Sequence, residues 1–201
     1  MHGIEGAAIT DHDSLRGGLI SKKYSDDNFL FIAGQEIATS HGDVIGLMIQ
    51  EEISSTFFFE VIDQIKDQGG IAYLPHPSRK MTLRYSEIKN NIDVIEAVNG
   101  RSSRGENIWS SRLAKTLNIP YASGSDAHTI REIGKTKTTF SKDFHSEAGL
   151  RKILIDKSIS RRINGVGKYE ILNHFQSSLI GTMKTGKIKD LVKGAIKKVY
   201  R

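Results

Sequence analysis

The chain has 201 residues, of which 38% are hydrophobic, and it carries a formal net charge of +6. This length and apolar content suffice for a sizeable core, and no stretch approaches the ~20 consecutive apolar residues of a membrane span. The absence of cysteine excludes disulfides and thiolate metal sites and is compatible with the cytoplasm, which we expect as the location. Glu5 and its flanking glycines interrupt any apolar stretch that could form a signal peptide.

Short apolar runs and helical patterns alternate along the chain, which predicts an α/β fold with a parallel sheet. The expected strands cover residues 6–10, 29–33, 43–49, 71–74, 92–98, 120–125 and about 136–140. The expected helices cover residues 14–24, a segment from about 57 to Gly69-Gly70, residues 105–118 and residues 146–155.

Helical spacing also predicts which residues the helices bury and where they begin. Asp13 or Ser14 could cap the first helix at its amino end. The buried faces of the second and third helices are marked by apolar residues at helical spacing, namely Phe57, Val61, Ile62 and Ile65, and then Ile108, Leu113 and Leu117.

Metal-binding side chains follow four of the apolar runs. The carboxyl ends of parallel strands meet at one rim of a sheet, so we expect these side chains to converge. Any one of them could instead be a cap or a surface residue, but four repetitions of one pattern favour a metal site. Carboxylates and imidazoles without thiolates are typical ligands of manganese, zinc or iron. The predicted ligands are His12, Glu36, His76, Asp126 and His128.

Several motifs resemble those of the PHP (polymerase and histidinol phosphatase) family of metal-dependent phosphoesterases. In chain order they are Thr10-Asp11-His12-Asp13, Gly34-Gln35-Glu36-Ile37, Pro75-His76-Pro77, Glu96-Ala97-Val98-Asn99-Gly100-Arg101, Gly124-Ser125-Asp126-Ala127-His128-Thr129 and Glu132-Ile133-Gly134-Lys135. The resemblance covers about residues 1–160 and implies a distorted seven-stranded (β/α)7-type barrel. It also implies two or three divalent metal ions in a complete site.

The amino end departs from the family pattern. Members of the family begin with a strand that ends in His-x-His, followed by a helix, whereas this chain opens at Met1-His2-Gly3, which corresponds to the end of that helix. His2 precedes the first strand here, so it is a poor substitute for the missing ligands. We therefore expect the first β/α unit to be absent. Either the working protein is longer, or the chain is a natural truncation with an impaired site.

A site of this kind could hydrolyse a phosphate ester. Metal ions about ~3.5–4 Å apart can clamp the attacking and leaving oxygens and lower the pKa of a bridging water. Glu36 is the best candidate to bridge two ions, because a carboxylate has two oxygens to share. Asp11 could orient His12, or it could belong to a helix cap. We therefore count Asp11 and Glu36 as the catalytic candidates.

Cations and an amide near the same rim could bind the phosphate. Arg79 and Lys80 follow His76, and Arg101 follows Asn99, in loops after strands. An arginine can donate two parallel hydrogen bonds to a phosphate, although exposed arginines and lysines are also common without any ligand. The predicted substrate-binding residues are Arg79, Lys80, Asn99 and Arg101.

The remaining histidines and one acid lead to weaker interpretations. His41-Gly42-Asp43 is expected in a turn between two strands, where the family often carries a histidine or an acid. Asp43 falls at that place, but hairpin turn chemistry explains it equally well. His145 and His174 lie outside every motif and are interpreted as ordinary surface or core residues.

The carboxyl end carries most of the charge asymmetry. Residues 181–201 contain six lysines and one arginine against one aspartate. Their net charge of +6 equals that of the whole chain. Apolar residues recur at helical spacing in 187–201, so we expect a helix that docks on the barrel or contacts an anionic membrane or nucleic acid. We divide the chain into a domain of residues 1–160 and a basic helical extension of residues 161–201.

The sequence thus favours a metal-dependent phosphoesterase that hydrolyses a phosphomonoester or a short nucleotide-type substrate with a metal-activated water. Its expected partner is a phosphorylated small molecule, a nucleotide or an oligonucleotide. One alternative is an impaired remnant of the family that binds a metal or a partner, with a homodimer formed through the open side of the barrel. The other alternative is a basic binding protein that associates with a membrane or a nucleic acid mainly through its carboxyl-terminal tail.

Overall fold

A six-stranded sheet organises the residues that the computed structural model describes, which are residues 3–165. Its strands follow the chain order β1 (Gly6–His12), β2 (Leu30–Thr39), β3 (Gly42–Leu47), β4 (Ile71–Leu74), β5 (Val94–Asn99) and β6 (Tyr121–Gly124). A separate antiparallel pair consists of β7 (Lys137–Phe140) and β8 (Arg161–Asn164). The interpretations of His2, of His174 and of a helix at 187–201 lie outside the described residues.

The α/β class is confirmed, but the sheet is mixed and not wholly parallel. Strand β1 pairs with β2 in parallel, as β4 does with β5 and β5 with β6. Strand β3 runs antiparallel to both of its neighbours. The reason is the tight turn between β2 and β3, since a connection of two residues can join only antiparallel strands.

Five α-helices connect the strands of the described region. They are α1 (Arg16–Lys22), α2 (Phe58–Asp67), α3 (Tyr85–Asn91), α4 (Arg104–Leu117) and α5 (Glu147–Ile155), and a short 3-10 helix covers Ile130–Glu132. Helix α3 and strand β8 were not predicted from the sequence. Helix α3 has a single buried residue, Ile88, so it carries no apolar periodicity. None of the helices within residues 3–165 is both long and apolar enough to cross a membrane.

Some predicted details of the helices are wrong. Phe57 is 66% exposed, and its neighbour Phe58 is buried instead, because the helix begins at Phe58 and turns that ring toward the core. Ile108 is 43% exposed on the outer side of α4. Asp13 does not cap α1, because Leu15 occupies the cap position. Ser14 contributes only a hydrogen bond that its Oγ accepts from the Arg16 N–H at 3.3 Å.

The described region extends a few residues beyond residue 160, where the predicted second domain begins. Strand β8 begins at Arg161 and pairs with β7 along its whole length. The Arg161 guanidinium donates to backbone carbonyls of residues 153, 154 and 156 at the end of α5. The division into two domains, and the helix beyond it, stay predictions.

Both faces of the sheet are covered, which explains the nearly continuous apolar runs in its strands. One core cluster packs helices against the sheet and includes Ile37, Leu74 and Ile95. The opposite face carries a second cluster, to which Ile32, Ile45, Leu47, Ile71, Tyr73, Val94 and Ala122 belong. Side chains alternate along a strand, so Glu36, Asp43 and Glu96 point to the same face as this second cluster. On this face, a row of acidic side chains therefore follows the apolar core residues toward one end of the sheet.

Candidate metal centre

Three strands lead into unusual backbone conformations at this end of the sheet. Asp13, His76 and Asp126 follow β1, β4 and β6 within two residues, and their φ angles are +52°, +26° and +49°. Non-glycine residues rarely adopt positive φ, and such strain persists where neighbouring groups enforce it, often at functional sites. The Asp13 N–H donates to the Glu36 carbonyl at 3.0 Å, and the His76 N–H donates to Glu96 Oε2 at 2.7 Å.

Three residues form a compact set of metal ligands. Glu36, Asp43 and His76 each offer one ligand atom, and these atoms lie within 4.8 Å of one another. His76 Nε2 lies 3.0 Å from Glu36 Oε1, and His76 Nδ1 lies 4.0 Å from Asp43 Oδ2. His12 approaches from β1, with its Nε2 3.6 Å from Glu36 Oε2, although its side chain is 62% exposed. Of the two readings of Asp43, this arrangement favours the metal ligand.

The protonation states of Glu36 and His76 depend on each other. Burial alone would raise the pKa of Glu36, but the His76 hydrogen bond and the charges of His12 and His76 lower it below its ordinary value. Burial alone would lower the pKa of His76, but the Glu36 hydrogen bond and the Glu96 charge raise it. The metal-free pair therefore favours a carboxylate and an imidazolium. A cation that binds His76 must displace that proton, so its affinity should fall as the pH falls.

A second group surrounds Asp126. Its Oδ2 lies 3.4 Å from Arg79 Nη1, accepts from Asn99 Nδ2 at 3.2 Å and lies 4.0 Å from Arg101 Nε. His128 Nδ1 lies 3.6 Å from Asp126 Oδ1. The spacing of Asp126 and His128 predicted an extended segment, but β6 ends at Gly124 and Asp126 has a positive φ angle. The two side chains still meet, because the turn brings His128 over Asp126.

Asn99 organises this second group. Its Oδ1 accepts from Arg79 Nη2 at 3.1 Å and from the Arg101 N–H at 2.8 Å, and its Nδ2 donates to Glu96 Oε2 and Asp126 Oδ2. The side chain is buried, and both ends of its amide are occupied. This geometry favours a positioning role for Asn99, whereas direct substrate binding stays a prediction.

Glu96 joins the two groups. Its buried Oε2 accepts from the His76 N–H at 2.7 Å and from Asn99 Nδ2 at 2.9 Å. Gly124 lies directly against it, and a Cβ at that position would meet Glu96 Oε1 at 2.5 Å. A glycine is therefore required for β6 to approach the carboxylate. The sequence signal for Glu96 was a charged residue inside an apolar strand, which is rare unless the charge has a partner or a function.

Glu96 should make the stability of the metal-free protein depend on pH. Burial raises the pKa of its carboxyl to about 7. The contribution of this pKa shift to the free energy of unfolding is present in full below ~4.3, the pKa of the carboxyl in the unfolded protein. It is lost as the pH rises through about 7. The isosteric Glu96→Gln protein should lack this component, so its stability relative to wild type should rise by about 3 kcal/mol between about pH 4 and about pH 8. Urea unfolding across that range measures the difference. Parallel pH profiles for the two proteins would contradict the assignment.

Glu132 holds the loop that carries His128. It is completely buried, and its Oε2 accepts the N–H groups of His128 at 2.7 Å and Thr129 at 3.0 Å. Arg101 Nη1 lies 3.6 Å from Oε1. Glu132 therefore fixes the backbone of the loop that follows Asp126 and carries His128. It also places the Arg101 guanidinium between the carboxylates of Asp126 and Glu132.

Removing this support should weaken metal binding without removing a predicted ligand. We expect Glu132→Ala to lower manganese affinity by about 10–100-fold and Glu132→Gln, which keeps an acceptor oxygen, to lower it less. Calorimetric titration measures both. Glu106→Ala is the matched control, because Glu106 accepts the Ser103 N–H in a capping box of the same kind on α4. Equal losses from Glu106→Ala and Glu132→Ala would mean that Glu132 acts only through general stability.

Two predicted residues lie apart from both groups. The Asp11 carboxylate points to the other face of β1, where it would collide with a Cβ added at Gly17 of α1. Lys80 is exposed, and its side chain makes no hydrogen bond or ion pair with the other described residues. Its backbone lies beside Gly42, the first residue of β3. His145, in the segment before α5, lies outside both groups and is exposed, in agreement with its interpretation.

The position of Glu36 differs from the sequence prediction. The expected strand ended at residue 33, but β2 continues to Thr39, so Glu36 lies within the strand. The extension follows from the hairpin, because β3 pairs with residues 34–39. Glu36 is opposite His12 on one side and Ile45 on the other. Its carboxylate is consequently held by two neighbouring strands.

The chemistry of these donors fits a divalent cation. Two carboxylates and one imidazole converge without a thiolate, which suits manganese, zinc or iron. His76 is fixed through its own backbone N–H by Glu96, as ligating residues commonly are by a surrounding shell. Glu36, Asp43 and His76 are thus the residues best placed to hold an ion, with His12 beside Glu36.

Comparisons with known proteins identify the family. A family model described as PHP-associated matches residues 105–155. The uncharacterized protein MJ1587 of Methanocaldococcus jannaschii is 44% identical over an alignment of 121 residues, and the match covers 57% of this chain and 71% of that protein. A two-domain protein from Bacteroides vulgatus that contains a predicted PHP-like metal-dependent phosphoesterase has a similar fold, with a TM-score of 0.63 at 17% identity. The chain belongs to the PHP family.

Further comparisons show how much of each similar protein the chain spans. The uncharacterized protein MJ0417 of the same organism is 34% identical over an alignment of 146 residues, and the match covers 67% of this chain but 57% of that protein. The Bacteroides match covers 80% of this chain and 56% of the other. PsfC from Pseudomonas syringae is 14% identical with a TM-score of 0.62, and the match covers 94% of this chain and 85% of PsfC. The chain therefore spans little more than half of two of these relatives.

Proposed function

We propose that this PHP chain is a metal-dependent phosphoesterase that hydrolyses a phosphomonoester or a short nucleotide-type substrate. The observation that carries the proposal is the convergence of Glu36, Asp43 and His76, whose neighbouring group around Asp126 contains the guanidinium of Arg79. The Arg79 charge also contributes to the lowered pKa of Glu36, so the cation lies within electrostatic reach of that carboxylate. An anionic ligand and a divalent cation could thus bind side by side.

Each residue has a distinct role in this proposal. Glu36, Asp43 and His76 hold a manganese, zinc or iron ion, and His12, Asp126 and His128 are further ligands of a site with two or three ions. Bound ions supply an activated water and offset the negative charge of the phosphate. Glu96 and Glu132 position the ligands. Asp11 faces α1, which weighs against a direct catalytic role.

Arg79 is the residue best placed to bind the phosphate. Asn99 Oδ1 and Ser102 Oγ accept from its Nη2, which orients the planar fork toward Asp126. An oriented guanidinium loses less entropy on binding and can donate two parallel hydrogen bonds. Arg101 is 10% exposed between Asp126 and Glu132, so it supports the site, and Lys80 could reach only the outer part of a substrate.

A substrate panel tests the proposed reaction class. Phosphate release from sugar phosphates, nucleoside monophosphates and short oligonucleotides should require manganese or zinc and should stop with a chelator. Phosphomonoesters and short nucleotides should be turned over faster than long polymers. Hydrolysis that continues unchanged in the presence of the chelator would exclude the proposed mechanism.

A second candidate is a PHP remnant that binds a metal or a partner without turnover. The observation that favours it is the exposure of His12 on β1, whose outer edge pairs with no other strand among residues 3–165. We propose that the sheet is part of a PHP-type barrel, and that a second copy of the chain could cover this edge. Tight metal binding without phosphate release from any substrate would favour this candidate.

A further inference from the structure

We propose that the outer face of α4 binds single-stranded nucleic acid, independently of the metal centre. Arg104, Ile108, Arg112 and Lys115 follow one another at intervals of four, four and three residues, so they share one side of the helix. Trp109 is 39% exposed on the flank of this side, next to the turn that carries Arg112. We call these five residues the α4 outer face.

All charged side chains of the α4 outer face are positive. Arg104, Arg112 and Lys115 are exposed, and none of them forms an ion pair or hydrogen bond with another residue of the described region. The helix contains a single carboxylate, Glu106, which is held by the Ser103 N–H at the amino end. Within residues 3–165 no carboxylate neutralises these three cations, so on this part of the chain their charge is open to an external anion.

An open surface pocket lies between the cations. It has a volume of about 340 Å³, within the ~300–1,000 Å³ of typical ligand sites. Its walls are mostly apolar, and it is lined by Val98, Arg104, Asn107, Ile108, Ser111, Arg112, Lys115 and Gly165. An apolar recess bordered by cations suits a flat, weakly polar group that is attached to a negative backbone. A nucleotide in a single strand has this combination.

The apolar distribution on α4 favours nucleic acid over a membrane surface. A helix that lies in a membrane inserts a continuous apolar stripe. The apolar stripe of α4, with Leu113, Ala114 and Leu117, is buried against the sheet and is not available for insertion. The outer face offers instead a pocket, one aromatic ring and three cations. From Arg104 to Lys115 it extends for about 16 Å, so several phosphates of a strand can follow it.

Trp109 makes the proposal directly measurable, because it is the only tryptophan of the chain. Titrating the full-length protein with a short oligothymidylate, in EDTA and at low salt, should quench tryptophan emission and saturate. Fluorescence anisotropy of a labelled oligothymidylate should give the same dissociation constant. Arg112→Glu with Lys115→Glu should weaken binding at least ~10-fold and reduce its salt dependence. Arg112→Gln with Lys115→Gln serves if the reversed variant does not fold.

The matched control reverses two cations elsewhere. Lys89→Glu with Lys157→Glu changes the net charge equally at exposed positions on α3 and in the turn before β8, and it should alter affinity less than ~2-fold. Glu36→Gln should bind oligothymidylate as wild type does, which separates this proposal from the phosphoesterase. Equal losses from both charge reversals, unchanged affinity in the α4 variant, or binding to phosphatidylserine vesicles but not to oligothymidylate would each overturn it.

Discussion

Replacing Glu36 by glutamine should lower the affinity of the chain for manganese or zinc by at least ~100-fold, while the fold stays intact. The glutamine preserves the shape of the side chain but removes the negative charge that His12 and His76 both approach. It also removes an oxygen anion from the one set of three donors within 4.8 Å that residues 3–165 contain. Isothermal titration calorimetry measures the affinity, and circular dichroism checks the fold.

Asp11→Asn is the matched control for this result. Asp11 precedes His12 on the same strand, and the change likewise exchanges one carboxylate for an amide. Its side chain faces α1, so metal affinity should change by less than ~3-fold. A loss in Asp11→Asn as large as in Glu36→Gln would show that the total charge of the region, and not the arrangement around Glu36, determines binding.

Arg79→Met should reduce kcat/KM for a phosphate ester by about 100-fold while metal affinity changes much less. The change removes the charged fork that Asn99 and Ser102 orient. Arg79→Lys keeps the charge but loses the paired donors, so we expect a loss of about tenfold. Steady-state phosphate release at saturating manganese measures both variants.

Arg84→Met provides the control for Arg79, because Arg84 is an exposed arginine of the same connection that begins α3. It should leave kcat/KM within about twofold of wild type, as expected for a surface change. Two outcomes would contradict the role of Arg79. One is an unchanged kcat/KM in Arg79→Met, and the other is a fall in metal affinity as large as the fall in kcat/KM.

The sequence predicted the alternation of strands and helices well, because both faces of the sheet are buried and its strands are continuous apolar runs. It misjudged β2, whose length depends on pairing with β3 and not on local composition. Helix α3 was missed for a related reason, since it is held by tertiary contacts of Ile88 and by capping at Arg84, not by periodicity.

The candidate site could be predicted only in part. Residues after apolar runs pointed to His76 and Asp126, because strand ends are visible in sequence. Asp43 stayed ambiguous, since hairpin chemistry and metal binding use the same residue types. Glu96 and Glu132 act through backbone N–H groups of residues distant in sequence, so their roles follow only from three-dimensional contacts. Asp11 illustrates the opposite case. It follows an apolar run beside His12, but side chains alternate along β1, so the Asp11 side chain lies on the other face of the strand.

The most direct test of the account is manganese-dependent phosphate release by the wild-type protein and by Glu36→Gln, measured side by side with the preferred substrate of the panel. Wild type should release phosphate only when manganese is present, and Glu36→Gln should lose at least ~100-fold in kcat/KM. Equal, manganese-dependent turnover by the two proteins would contradict the assignment of the metal centre to Glu36, Asp43 and His76.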